Sequence, residues 1–334
     1  MKNMKLKSKK GLIISILAAI ILIAILLNEG YSIRATSKFS YNEPLTAPVT
    51  GNDFYYSRMN DYEKEIYAEI VKRIEEFKPD LISLYEPISA GSYLLIWNAL
   101  LNSGRDYFYV NYSTPLGEDK QTVGVDIHYI PISFSGTMFY DYMESIPSPN
   151  GDPVFQYIDG SLESLPVTSE ATVLEYRQQQ QQTNEKIGEI IAGIPPGSNK
   201  VEAFYYLADW VNQNIPYDEE LYNKVISYEP DDQAISNDLL SKTGIWASSI
   251  LEGKGACGGL SAILVNMLNQ VGIEAYIEVG KVRANQLGHA WVAIKIGDEV
   301  LWTDPSGDPA NPMQRQSVEL RNRKQMERAY IFNF

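Results

Sequence analysis

The stretch that most restricts how this chain folds runs from Cys257 to Asp304: an amphipathic helix, then two apolar runs joined by a two-residue turn. Leu260, Ile263, Leu264, Met267, Leu268 and Val271 recur at intervals of three and four. That spacing puts them on one face of a helix, and Gly272 supplies its C-terminal stop. His289 to Ile294 and Glu299 to Asp304 flank Gly297-Asp298, a favoured hairpin turn. Pairing Ile296 with Glu299 sets Trp291 opposite Asp304. Side-chain alternation then sends His289, Trp291, Trp302 and Asp304 out of one face. His289 and Asp304 become diagonal neighbours, about 7 Å apart at the backbone and within reach of an imidazole-carboxylate hydrogen bond. A slip of one residue in register would separate them.

The helix opens on Cys257, the single cysteine of the 334 residues. Free amides and the positive end of the helix dipole favour a thiolate there, lowering the thiol from its ordinary pKa of about 8.5. Gly255, Gly258 and Gly259 permit a tight turn and let another chain approach the sulfur closely. One cysteine excludes an internal disulfide and a Cys-rich zinc site, and only two histidines, His128 and His289, leave little for a His-built centre. His128 alternates with apolar neighbours in GVDIHYIPI and reads as an ordinary strand residue. Asp231-Asp232 and the run Asp304 to Asp308 lack EF-hand spacing and read as solvated acidic loops, so neither a metal nor a cofactor is expected. Cys257, His289 and Asp304 have the parts of a thiol triad: nucleophile, base, and the carboxylate that orients the base. Each alone also has a plain structural explanation, as core filler, strand-end histidine and turn former before Pro305.

At the other end, residues 1 to 10 carry five lysines and no acid, and residues 11 to 28 carry no charge. Eighteen residues span about 27 Å as a helix, close to the roughly 30 Å hydrocarbon core. The preceding lysines favour a cytoplasmic N-terminus. The apolar run exceeds the usual signal-peptide core, which favours an uncleaved anchor over cleavage after Ala35. On either reading the remainder is extracytoplasmic, secreted if the segment is cut. With those five lysines set aside, 23 basic and 42 acidic residues remain, a formal charge near −19. Such a balance argues against nucleic acid as a partner.

After a spacer at 29–59, Asn60-x-x-Glu63 reads as a capping box. Tyr62, Ile66, Ile70, Ile74 and Phe77 follow at helical spacing until Pro79. Ser92 to Phe139 is rich in Tyr, Phe, Val and Ile and reads as strands. Residues 170 to 192 return to helical composition, with Gln178 to Gln182 on a solvated face. Pro195-Pro196-Gly197 then breaks the chain, and Ser198 is placed to cap a helix carrying Val201, Phe204, Leu207, Ala208 and Val211. The expected organisation is a basic tail at 1–10, an anchor at 11–28, the spacer, a mixed α/β region at 60–194 and a second domain at 195–334.

GACGGLSAILVNMLNQVGIEAYIEVG, then GHAWVAI, then VLWTDPSGD, preceded by WVNQNIPYD, resembles the transglutaminase-like core of the papain-type cysteine enzymes over about residues 200 to 310. The resemblance implies an α+β fold in which a helix bearing the cysteine packs on an antiparallel sheet bearing the histidine and aspartate. It also implies that Cys257 is the nucleophile, His289 the general base and acid, and Asp304 the orienting group. The family's second oxyanion donor is an upstream side chain, and Tyr217 is the candidate for it; a turn-packing tyrosine is the alternative. Asp304-Pro305-Ser306-Gly307 departs from the family's Asp-Pro-Thr-Trp on the substrate side. The activity implied is attack on an amide carbonyl to give a thioester. Water would resolve it in a peptidase or amidase, and an amine in a cross-linking enzyme, with proteins or peptides of the cell envelope as substrates. The alternative is a noncatalytic envelope protein using the same fold to bind peptides or to scaffold.

Overall fold

A computed structural model of the chain describes residues 43–49, 53–77, 80–107, 110–113, 122–129, 143–147, 153–157, 170–227, 242–307 and 318–332. All of them fall in one unit, Asn42–Phe334. The expected anchor at 11–28 lies outside the described residues, and so do Ala35, Asp231 and Asp232. Among the described residues no helix is long and apolar enough to cross a membrane.

The fold mixes helices with antiparallel sheets. Its first half contains α1 (Asp53–Tyr56), α2 (Asp61–Glu75), β1 (Asp80–Ile88), α3 (Ala90–Leu101), β2 (Val110–Ser113), β3 (Thr122–Tyr129), β4 (Met143–Pro147) and β5 (Pro153–Tyr157). Then come α4 (Glu170–Ile191), α5 (Lys200–Asn214), α6 (Glu219–Ser227), α7 (Lys242–Ile245), α8 (Ser249–Glu252) and α9 (Cys257–Gln270). The chain continues through β6 (Ala275–Val282), β7 (Gly288–Ile296), β8 (Glu299–Thr303), α10 (Arg323–Met326) and β9 (Tyr330–Phe332). The sheets run β1-β3-β2, β4-β5 and β8-β7-β6-β9.

Local signals decide most of these elements. Asn60 and Glu63 form the reciprocal capping box at the head of α2, whose Ile66, Ile70 and Ile74 are buried. The apolar stripe of α5 is buried as its spacing requires, but its cap is Asn199 rather than Ser198. The Asn199 side chain accepts from the amides of Val201 and Glu202, while the Glu202 carboxylate accepts from the Asn199 amide. The Ser198 hydroxyl instead donates to the carbonyl of Pro195, in the turn behind it.

Two expectations are corrected. Residues 92–101, expected among strands, belong to α3, which is capped by Ser89 accepting from the Ser92 amide. The run is apolar around most of its circumference, and a buried helix of this kind carries no periodicity to separate it from a strand. The expected spacer is also packed structure where it is described. Thr46 and Val49 donate their amides to the carbonyls of Val271 and Asn269, at the C-terminal end of α9. Tyr55, in α1, is fully buried.

The hydrophobic core runs across Pro195 without a break. Tyr55, Ile66, Ile70, Leu100 and Tyr107 belong to the same buried cluster as Tyr276, Trp291, Trp302 and Tyr330. Hydrogen bonds join the two regions as well. The Ile277 amide in β6 donates to Asn102 Oδ1 at 2.7 Å, and the Ile277 carbonyl accepts from the Tyr55 hydroxyl at 2.7 Å and from Asn102 Nδ2 at 3.3 Å. Two residues earlier, Asn269 does the same for Ala275, accepting from its amide and donating to its carbonyl. Since β9 pairs only with Gly280 to Val282, two asparagine amides stand where a strand would cover the rest of that edge of β6.

Candidate active site

The hairpin forms in the register its turn implies. Ile296 pairs with Glu299, Ile294 with Leu301 and Val292 with Thr303. The Trp291 and Trp302 indole nitrogens both donate to Glu278 Oε2 in β6, at 3.1 and 2.8 Å, so the two rings share a face. On the same alternation His289 meets Asp304, with Nε2 2.8 Å from Oδ2 and both residues buried.

Cys257 is the first residue of α9, and no side chain caps that terminus. Its neighbour Ala256 is extended and donates its amide to the Thr243 carbonyl. The glycines beside it serve close packing rather than a turn, since neither Gly258 nor Gly259 has positive φ. A Cβ on Gly258 would lie 2.5 Å from the Gly244 carbonyl oxygen and 2.9 Å from the Ile245 Cα. One on Gly259 would lie 2.5 Å from the Thr243 oxygen. The chain that approaches is therefore this protein's own α7.

Cys257 is partly exposed and lies beside His289, close enough for the imidazole to act on the thiol. With Nε2 on Asp304, Nδ1 is the ring nitrogen left for the sulfur. Burial acts to raise the thiol, but the pull of the His289 imidazole, helped by the Ala290 backbone, outweighs it and holds Cys257 below its ordinary range. For His289, burial acts downward, and the Asp304 and Cys257 charges overcome it and lift the imidazole to about 10. Burial also opposes ionisation of Asp304, yet His289, Ser306 and Tyr330 keep it below its usual value. All three shifts favour a thiolate beside an imidazolium beside a carboxylate.

Asp304 is held by four hydrogen-bond donors. Oδ1 accepts from the amide and the hydroxyl of Ser306, and Oδ2 accepts from His289 and from the hydroxyl of Tyr330. The Ser306 contacts were legible, because Asp-Pro-Ser-Gly is a sequence in which an aspartate turns back on the amide two residues on. Nothing in the sequence pointed to Tyr330.

Tyr217 follows the last turn of α5 and bridges to Gly255 as a parallel neighbour, with Gly255 donating to Pro216 and Asp218 to Gly255. Its hydroxyl lies close to the backbone and the thiol of Cys257, both of which act on it. Burial, followed by the Cys257 and Asp304 charges, holds the phenol well above its usual pKa, so it stays protonated. His128 lies on β3, paired with Asn111, in a different sheet from His289. Among the described residues no cluster of His, Cys, Asp and Glu could hold a metal ion.

Residues 188–305 match the family model described as the transglutaminase-like superfamily, so the segment holding Cys257, His289 and Asp304 is a transglutaminase-like domain. No curated protein matches the chain. Similar solved structures include a TGase, at 14% identity over 69% of this chain and 51% of that one, with a TM-score of 0.31. A candidate cysteine protease from Cytophaga hutchinsonii is 13% identical over 49% of this chain and 61% of its own, with a TM-score of 0.27. A candidate protease from Parabacteroides distasonis is 14% identical over 58% and 35%, with a TM-score of 0.28. The chain thus spans about half the length of the TGase.

Proposed function

We propose that this protein is a cysteine-dependent acyl-transfer enzyme with Cys257 as nucleophile, His289 as general base and acid, and Asp304 as the group that orients His289. The observation that carries the reading is the Cys257 thiol beside His289, whose Nε2 lies 2.8 Å from a buried, fully hydrogen-bonded Asp304. The thiolate attacks an amide carbonyl, and the oxyanion is received by the Cys257 amide at the open head of α9 and by the Tyr217 hydroxyl, which exchanges its present partners for the substrate oxygen. Collapse of the tetrahedral intermediate expels the amine, protonated by His289, and leaves a thioester on Cys257. His289 then deprotonates water, giving hydrolysis, or a second amine, giving a cross-link. The lysine-flanked apolar segment at 11–28 favours an enzyme anchored with this domain outside the cytoplasm, acting on envelope proteins or peptides.

A thioester intermediate is trapped by hydroxylamine. The full chain in detergent, incubated with glutamine-containing peptides and hydroxylamine, is expected to form a hydroxamate, and the Cys257→Ala chain is not. Equal product from both, or none across a broad peptide pool, contradicts the enzyme reading and favours a peptide-binding module on the same fold.

A further inference from the structure

Asp304 is restrained at one oxygen by its own turn. Ser306, two residues on, supplies both donors to Oδ1. The other oxygen, Oδ2, is the one that receives His289, and its only further donor among the described residues is the hydroxyl of Tyr330. Tyr330 also lies flat on the base it helps to place, its ring stacked on the imidazole at 5.4 Å between centroids with 2° between planes. It is fully buried, with Trp291 at 4.8 Å on its flank.

The backbone of Tyr330 is fixed just as firmly. It pairs with Val282 where β9 joins β6, the Arg283 guanidinium donates to the carbonyls of Glu327 and Tyr330, and the Arg283 amide donates to Ala329. This residue stands outside the segment that matches the family model. The titratable groups facing the histidine are then Cys257 and Asp304, with Tyr330 stacked on its ring and Tyr217 near the thiol.

We propose that Tyr330 is a positioning residue of the triad, holding Asp304 Oδ2 through its hydroxyl and the plane of the His289 ring through stacking. The inference rests on the thiol-enzyme reading above. Packing alone would require only an aromatic ring at this position. The hydroxyl is what makes the tyrosine specific, because it ties the acceptor of the His289 proton to a strand that lies outside the Asp304 turn.

The test is the pH profile of iodoacetamide alkylation of Cys257 in the full chain. Tyr330→Phe keeps the ring in the core and removes only the donor. Its acid limb is expected to move upward by about one unit, so that alkylation near pH 6 slows about tenfold while the rate near pH 9.5 is unchanged. Phe332→Leu, a β9 variant that loses packing on Trp291 without touching Asp304 or His289, is expected to melt lower and keep the parent profile. Because Tyr330 acts through Asp304, adding Tyr330→Phe to Asp304→Asn is expected to change the profile no further than Asp304→Asn alone. A Tyr330→Phe profile that superimposes on a parent with a clear low-pH limb overturns the proposal and leaves the triad standing, and additive shifts in the double variant do the same. A parent with no low-pH limb removes both.

Discussion

Glu278 shows how much a single buried carboxyl sets beneath the site. It lies on β6 opposite Trp291, takes both indole N–H groups on one oxygen, and is buried. Burial raises its pKa, with the two indoles and the nearby Arg323 and Arg58 only partly offsetting the loss of water. A carboxyl whose folded pKa lies above its unfolded value contributes stability that is full below the unfolded value and lost as pH rises through the folded one. Glu278→Gln keeps an acceptor for the indoles and has nothing to ionise. Thermal melts are therefore expected to show the variant gaining on the parent as pH rises above the ordinary glutamate value of about 4.3. A constant gap, or one moving the other way, contradicts the assignment. His289 and Asp304 were legible in the sequence, whereas the Tyr330 support of Asp304 was not. The pair follows from a two-residue turn and strand alternation, both local. Tyr330 reaches Asp304 from 26 residues away with no periodic signal to announce it.

Among the elements, α9 carries Cys257, the proposed nucleophile, and α7 packs against its first turn. The apolar stripe of α9 was legible because every member falls at helical spacing, and all six of its residues are buried. The use of the glycines beside Cys257 was not, since nothing local says that the approaching backbone is Thr243 to Ile245. Gly258→Ala would drive a methyl group against the Gly244 carbonyl and the Ile245 Cα, backbone atoms that cannot swing aside. The expected cost is about 1–3 kcal/mol by urea unfolding, together with a shift of α7 away from the first turn of α9. Unchanged stability would mean that the two segments are not held as closely as described. The α3 correction belongs to this scale too: a helix that is apolar on most sides is told from a strand only by its cap and by what surrounds it.

At the scale of the whole molecule, the region before Pro195 completes the sheet that bears the site. Asn102 and Tyr55 serve the backbone of Ile277 across 175 and 222 residues of sequence, a separation at which no pattern in the chain could have linked them. The α+β core at the sheet was legible from its helix and hairpin, whereas the closing of its edge depends on this distant pairing. Asn102→Ala leaves the Ile277 amide buried without that acceptor, and the expected loss is about 1–3 kcal/mol in urea unfolding. It should fall within one cooperative transition rather than as a separate early phase, because the core is shared. Two transitions would contradict that unity.

On the function proposed above, Cys257 and His289 form a thiolate and imidazolium pair. It is tested most directly by following the rate of Cys257 alkylation by iodoacetamide against pH in the full chain, beside His289→Ala. With one cysteine in the sequence, the label reports one site. Burial would keep the thiol protonated, and the histidine is what overcomes it. Fast alkylation well below the ordinary thiol value of about 8.5 is expected in the parent, and loss of that low-pH reactivity in the variant. A Cys257 that is inert, or that titrates near about 8.5 in both proteins, would contradict it.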